Sequence, residues 1–176
     1  GYLNFSDTLK LLRCRGDAMQ NAVPDGEGGM VAVLGSSVEV IEKIENILKD
    51  NQNDFLAEIA NDNSEGQIVL SGKTQDLERL SSYLKQNKIK NIKLPVSAPF
   101  HCSLMNKATE IMKEELGKLK FKKGNNPLIS NITANEIFNA DELKGLLIKQ
   151  VENRVRWRES VINMIDKNVN QFIEIG

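Results

Sequence analysis

Between Gly28 and Val96 the apolar spacing switches repeatedly from a period of two to a period near 3.6, and no other part of this 176-residue chain constrains the fold as tightly. Met30–Leu34 reads as a strand. Ser36, with Glu39 three residues on, reads as a capping box that opens a helix with Val40, Ile41, Ile44, Ile47 and Leu48 inward. Phe55–Ala60 and Gln67–Ser71 read as strands joined by the turn-rich run Asn61-Asp62-Asn63-Ser64-Glu65-Gly66. Thr74–Gln86 has Leu77, Leu80 and Leu84 on one helical face, and Ile89–Leu94 reads as a last strand. Strand, helix, strand, strand, helix, strand is the ferredoxin-like order, which hosts many activities and by itself implies none.

Both flanks follow a helical rhythm. Ser6 and Asp7 are placed to cap a helix running to about Asn21, with Leu9, Leu12, Gly16 and Met19 on one line. A second line, Leu11, Arg15, Ala18 and Ala22, sets Arg15 among apolar neighbours. Such an arginine either snorkels to a rim or faces a cavity and awaits an anion, since a guanidinium in an apolar setting needs a partner. Beyond the strand-rich stretch, Pro95 and Pro99 stiffen a loop leading to His101, and a helix is expected from about Ser103 to Leu119. Pro127–Asn131 reads as a buried strand, Asp141–Asn153 and Arg158–Asp166 as helices, and Gln171–Ile175 as a final strand. A chain that starts without Met and stops on an apolar strand reads as cut at both ends.

Composition narrows the function classes. Lysine plus arginine is 23 against 24 aspartate plus glutamate, a net charge of −1, which lacks the basic excess of a dedicated nucleic-acid binder. No apolar run approaches the roughly 20 residues of a membrane span, and no signal peptide is visible, so a cytoplasmic, soluble protein is expected. The two cysteines, Cys14 and Cys102, lie far apart and are expected as free thiols. One histidine and two cysteines make no credible zinc set, so no metal is expected. Gly72-Lys73-Thr74 imitates a phosphate-binding loop, but the glycine required five residues earlier is Gln67. Gly35-Ser36-Ser37 imitates a nucleophile elbow, but Glu39 stands where Ser37 would need a second glycine.

His101, the only histidine, is either a structural imidazole or a general base held by a stiff loop. Gln150 falls on the stripe Leu143, Leu146, Leu147, Gln150, Val151, a polar amide on a buried face, for which satisfaction by nearby backbone is the plainer account.

Six ordered segments carry a resemblance. They are Arg13-Cys14-Arg15-Gly16-Asp17-Ala18-Met19-Gln20, the run from Gly28 to Gly35, the run from Asn61 to Gly72, the run from Val96 to Met105, Ser130-Asn131-Ile132-Thr133-Ala134, and the run from Gln150 to Trp157. In this order and spacing the chain resembles the malonyl-CoA:acyl-carrier-protein transacylases over essentially its whole length. The resemblance implies a partial α/β-hydrolase-like acyltransferase subdomain, built from residues 1–27 and 97–176, with a ferredoxin-like subdomain inserted at 28–96. It implies a ping-pong transfer of malonyl from coenzyme A, through an acyl-serine, to the phosphopantetheine thiol of acyl carrier protein in fatty acid biosynthesis, with no cofactor. His101 matches the general base, Gln150 the position whose backbone carbonyl orients the imidazole, and Arg15 the clamp on the malonyl carboxylate. Phe100 matches the variant associated with malonyl, and Asn61, Asn63 and Asn131 align with polar positions to which no role is assigned.

The departures are as specific as the matches. The family's Gly-His-Ser-x-Gly elbow does not occur in these 176 residues, nor do its glutamine-glycine oxyanion strand and a Gly-Pro-Gly segment. The chain is therefore expected to hold base and clamp without the nucleophile, to be inactive alone, and to expose apolar surface outside 28–96 or need a companion chain there. The alternative is a non-catalytic module binding acyl-CoA or carrier protein.

Overall fold

The computed structural model describes residues 1–175. Helix α1 spans Phe5–Gln20; β1 (Gly28–Leu34), α2 (Val38–Asn51), β2 (Ala57–Ser64), β3 (Gln67–Lys73), α3 (Thr74–Gln86) and β4 (Lys90–Lys93) follow. The four strands form an antiparallel sheet in the order β2-β3-β1-β4. One face carries Val31, Val33, Ala57, Ile59, Ile68 and Leu70, packed on Ile41 and Ile44 of α2 and on Leu77, Leu80 and Leu84 of α3. On the other face Met30, Ala60 and Val69 form a smaller cluster against Leu94 and Phe100. Alternation along each strand thus feeds two layers, and the second layer faces the His101 loop.

After the sheet, one turn of 3-10 helix (Ser103–Met105) runs into α4 (Asn106–Gly117). The pair β5 (Leu128–Ile129) and β6 (Glu136–Ile137) precedes α5 (Ala140–Lys149) and α6 (Trp157–Asp166). Ala18, Met19 and Ala22 pack with Met105, Ala108, Met112, Leu116 and Val151 into a third cluster, which joins α1 to α4 and to the end of α5. None of the described helices is long and apolar enough to cross a membrane.

Several sequence expectations are corrected. Helix α1 is capped by Asn4, whose Oδ1 accepts the Asp7 N–H at 2.8 Å, and not by Ser6 or Asp7, which lie inside its first turn. Ser37, not Ser36, occupies the cap position of α2: the chain leaves β1 through Gly35 at φ +74°, and the helix begins only at Val38. Val40 and Ile47 lie on the solvent side of α2, and Glu45 takes the buried place instead. Asn61–Ser64 continue β2 with register shifts, so only Glu65-Gly66 is turn. The strand expected at 127–131 is two residues long and not buried, for its only partner is the equally short β6. Gln171–Ile175 forms no strand, having no neighbour to pair with among the described residues. On α1 the Arg15 line is the inward one, whereas Leu9 and Leu12 face outward.

Candidate active site

His101 sits where three constraints meet. Pro99 is fully buried, its ring against Gly28 of β1 so closely that a Cβ there would lie 2.5 Å from Pro99 Cγ. The Cys102 thiol donates to the Pro99 carbonyl at 3.2 Å, and the Met105 N–H to the Cys102 carbonyl at 3.0 Å. Between these ties His101 holds φ +59°, a left-handed conformation that a side-chain-bearing residue keeps only when its surroundings fix it.

Helix α5 decides the imidazole's partner. The sequence reading carried this helix to Asn153, but it stops at Lys149 and leaves Gln150 as its cap residue. A carbonyl at a helix C-terminus lacks an i+4 donor and is free to accept elsewhere. The Gln150 carbonyl lies 2.9 Å from His101 Nδ1. A carbonyl only accepts, so the proton of a neutral His101 belongs on Nδ1, leaving the Nε2 lone pair free. Burial holds the imidazole below its ordinary pKa; the Gln150 carbonyl opposes that shift and the Arg15 charge adds to it. The result is a ring kept neutral and basic at one nitrogen.

Arg15 reaches the same residue from α1. Its Nη2 donates to Gln150 Oε1 at 3.1 Å, so the amide is satisfied by the guanidinium and not by backbone. Arg15 belongs to none of the ion pairs among the described residues, and its Nε is buried without a hydrogen-bond partner. Burial lowers its pKa, which measures how far the cation is removed from water. A half-buried guanidinium with an open donor has the chemistry of a carboxylate receptor.

Gln150 therefore ties His101 with its main chain and Arg15 with its side chain. Phe100 packs against both the sheet-face cluster and the α1–α4 cluster. Asn61 and Asn63 lie apart on β2, where Asn61 bridges to Val155. Asn131 meets that region, its carbonyl accepting the Arg156 N–H at 3.0 Å. Among the described residues no hydrogen bond links these three asparagines to His101, Gln150 or Arg15.

Sequence reasoning missed the long-range ties around this cluster. Buried Asp62 on β2 takes a forked grip from Arg158 of α6, with bonds of 2.9, 3.1 and 2.8 Å. Arg154 reaches Glu42 of α2 at 3.1 Å, and Glu58 accepts two bonds from Ser103. Their partners lie 96, 112 and 45 residues away, and no local pattern marks them.

These features describe an α/β protein with an imidazole base and an unneutralised cation side by side. No family model matches the chain. Over its full length it is 40% identical to the malonyl CoA-acyl carrier protein transacylase of Bacillus subtilis and 33% identical to that of Escherichia coli K12, spanning 55% and 56% of them. The crystal structure of the Clostridium perfringens transacylase superposes on all of the chain with a TM-score of 0.94 at 40% identity, 55% of that structure being covered. A malonyl-transacylase described in complex with a type II polyketide acyl carrier protein gives 0.93 at 31% identity, again over the whole chain and 56% of that structure. The chain is thus similar over its whole length to malonyl CoA-acyl carrier protein transacylases and spans about half the length of the curated relatives it matches.

Proposed function

We propose that the protein containing this chain moves a malonyl group from coenzyme A to the phosphopantetheine thiol of acyl carrier protein. In this reading His101 Nε2 takes the proton of a serine hydroxyl as it attacks the thioester carbonyl, and returns it to the departing thiolate. The second half runs in reverse, with the carrier thiol losing its proton to His101 and attacking the acyl-serine. The serine comes from outside these 176 residues. Arg15 holds the free malonyl carboxylate by a charge-assisted fork, and Phe100 fills the space beside the α-carbon. The observation that carries the proposal is Gln150, whose carbonyl fixes the base and whose amide holds the arginine. The sheet unit of residues 28–96 is, in this reading, a ferredoxin-like subdomain inserted into an α/β-hydrolase-like one formed by 1–27 and 97–176.

His101→Ala in the whole protein is expected to lower transfer by roughly 10²–10⁴. Arg15→Ala is expected to cost malonyl transfer roughly 10- to 100-fold while sparing acetyl. Equal losses with both donors would overturn the clamp. The absence of a serine elbow from these residues favours a second reading for the chain alone, a module that binds acyl-CoA without turning it over. Calorimetric titration of the chain with malonyl-CoA tests it, and a flat titration would remove it.

A further inference from the structure

We propose that Glu58 is a positioning residue for His101, holding the loop through both the main chain and the hydroxyl of Ser103. Its consequence for catalysis rests on the transferase reading above; its effect on the imidazole does not.

Glu58 stands opposite Ser71 on β3, and Ser71 opposite Met30 on β1. Residues directly opposed across a sheet share a face, so Glu58 rises from the side on which Met30, Ala60 and Val69 meet Phe100. From there Oε2 accepts the Ser103 N–H at 2.8 Å and Oε1 accepts the Ser103 hydroxyl at 3.0 Å. Ser103 opens the helical run that continues as α4, where the first N–H groups have no intrahelical acceptor. Cys102, at the cap position, makes no side-chain cap bond. Glu58 supplies the missing acceptor from another element and puts a negative charge at the positive end of the helix.

The grip falls two residues after a backbone held at φ +59°. A left-handed residue relaxes unless the chain is fixed on both sides of it. Pro99 against Gly28 fixes the approach and Glu58 on Ser103 fixes the exit, both from the same sheet. The Gln150 carbonyl then meets an imidazole whose direction is already set.

His101 is the only histidine in the chain, so its ring signals in NMR titration are unambiguous. Glu58→Ala is expected to raise the His101 pKa, as water reaches a ring now held low by burial. It is also expected to speed exchange of the Nδ1 proton. Glu58→Gln keeps a carbonyl acceptor and is expected to stay close to the parent, with Ser103→Ala in between. In the whole protein, Glu58→Ala is expected to cut kcat roughly 10- to 100-fold with KM nearly unchanged, and Glu58→Gln to restore most of it. A folded Glu58→Ala chain with an unmoved His101 pKa and Nδ1 proton overturns the proposal. Should that variant not fold, an unmoved His101 in folded Ser103→Ala overturns it equally. A ring that responds in a protein unable to transfer malonyl would uphold the positioning and reject the transferase reading.

Discussion

In the sheet unit twelve buried side chains from three strands, both helices and the approach to β2 form one core, whereas α1, α5 and α6 bury two residues or fewer apiece. Phe5 is 79% exposed, Leu12 57% and Ile173 76%, all outside the sheet unit. His101, Gln150 and Arg15 nonetheless sit in the flanks, beside the smaller of the two large clusters, the one between α1 and α4. Their mutual placement is set by point ties: Glu58 on Ser103, the Gln150 carbonyl on His101, Arg15 on the Gln150 amide. A core resists change through many weak contacts, while a tied site is lost one bond at a time.

The contrast is sharpest in the sheet core. Leu80→Ala, at a fully buried position of α3, is expected to cost about 2–5 kcal/mol in urea unfolding, through lost burial plus a cavity. A cost below about 1 kcal/mol would erase the distinction between core and flank. Arg158→Ala leaves the Asp62 carboxylate buried without its fork, and about 2–3 kcal/mol is expected. Hydrogen exchange should then accelerate in α6 before the sheet; uniform acceleration would mean the two regions unfold as one.

A third test uses acidity. Burial raises the Glu45 carboxyl to about 7; Lys49 and Arg154 lower it, and Glu58 and Glu42 add to the rise. The folded chain therefore binds a proton that the unfolded chain has lost, from about 4.5 up to about 7. This contribution to stability is fully present below the unfolded value and disappears as pH rises through the folded one. Between pH 5 and pH 8 the parent is expected to lose about 2 kcal/mol relative to Glu45→Gln. Parallel pH profiles would show that the carboxyl is solvated. The smallest effect is expected at Leu12→Ala, within about 0.5 kcal/mol, because that side chain is already in solvent. Limited proteolysis complements it: cuts before residue 28 or after 96 should precede cuts in the sheet.

Much of the sheet unit was legible because its signals are local. Thr74–Gln86 is helical over the expected span, and β1, β3 and β4 begin or end within two residues of expectation at most of their boundaries. Where two polar residues competed, the neighbouring backbone decided: Asn4 over Ser6 and Asp7 at α1, Ser37 over Ser36 at α2. A run of Asn, Asp and Ser reads as a loop by composition. Pairing with β3 and the Arg158 fork on Asp62 make it strand.

Within the site, the singularity of His101, the amide of Gln150 on a buried stripe and the apolar company of Arg15 were all visible in the residues. That these three converge, that α5 stops early enough to free the Gln150 carbonyl, and that Glu58 reaches Ser103 were decided by tertiary structure alone. Periodicity and capping act over a few residues and are written in sequence order. A hydrogen bond between groups 45 or 135 residues apart exists only after packing has brought them together.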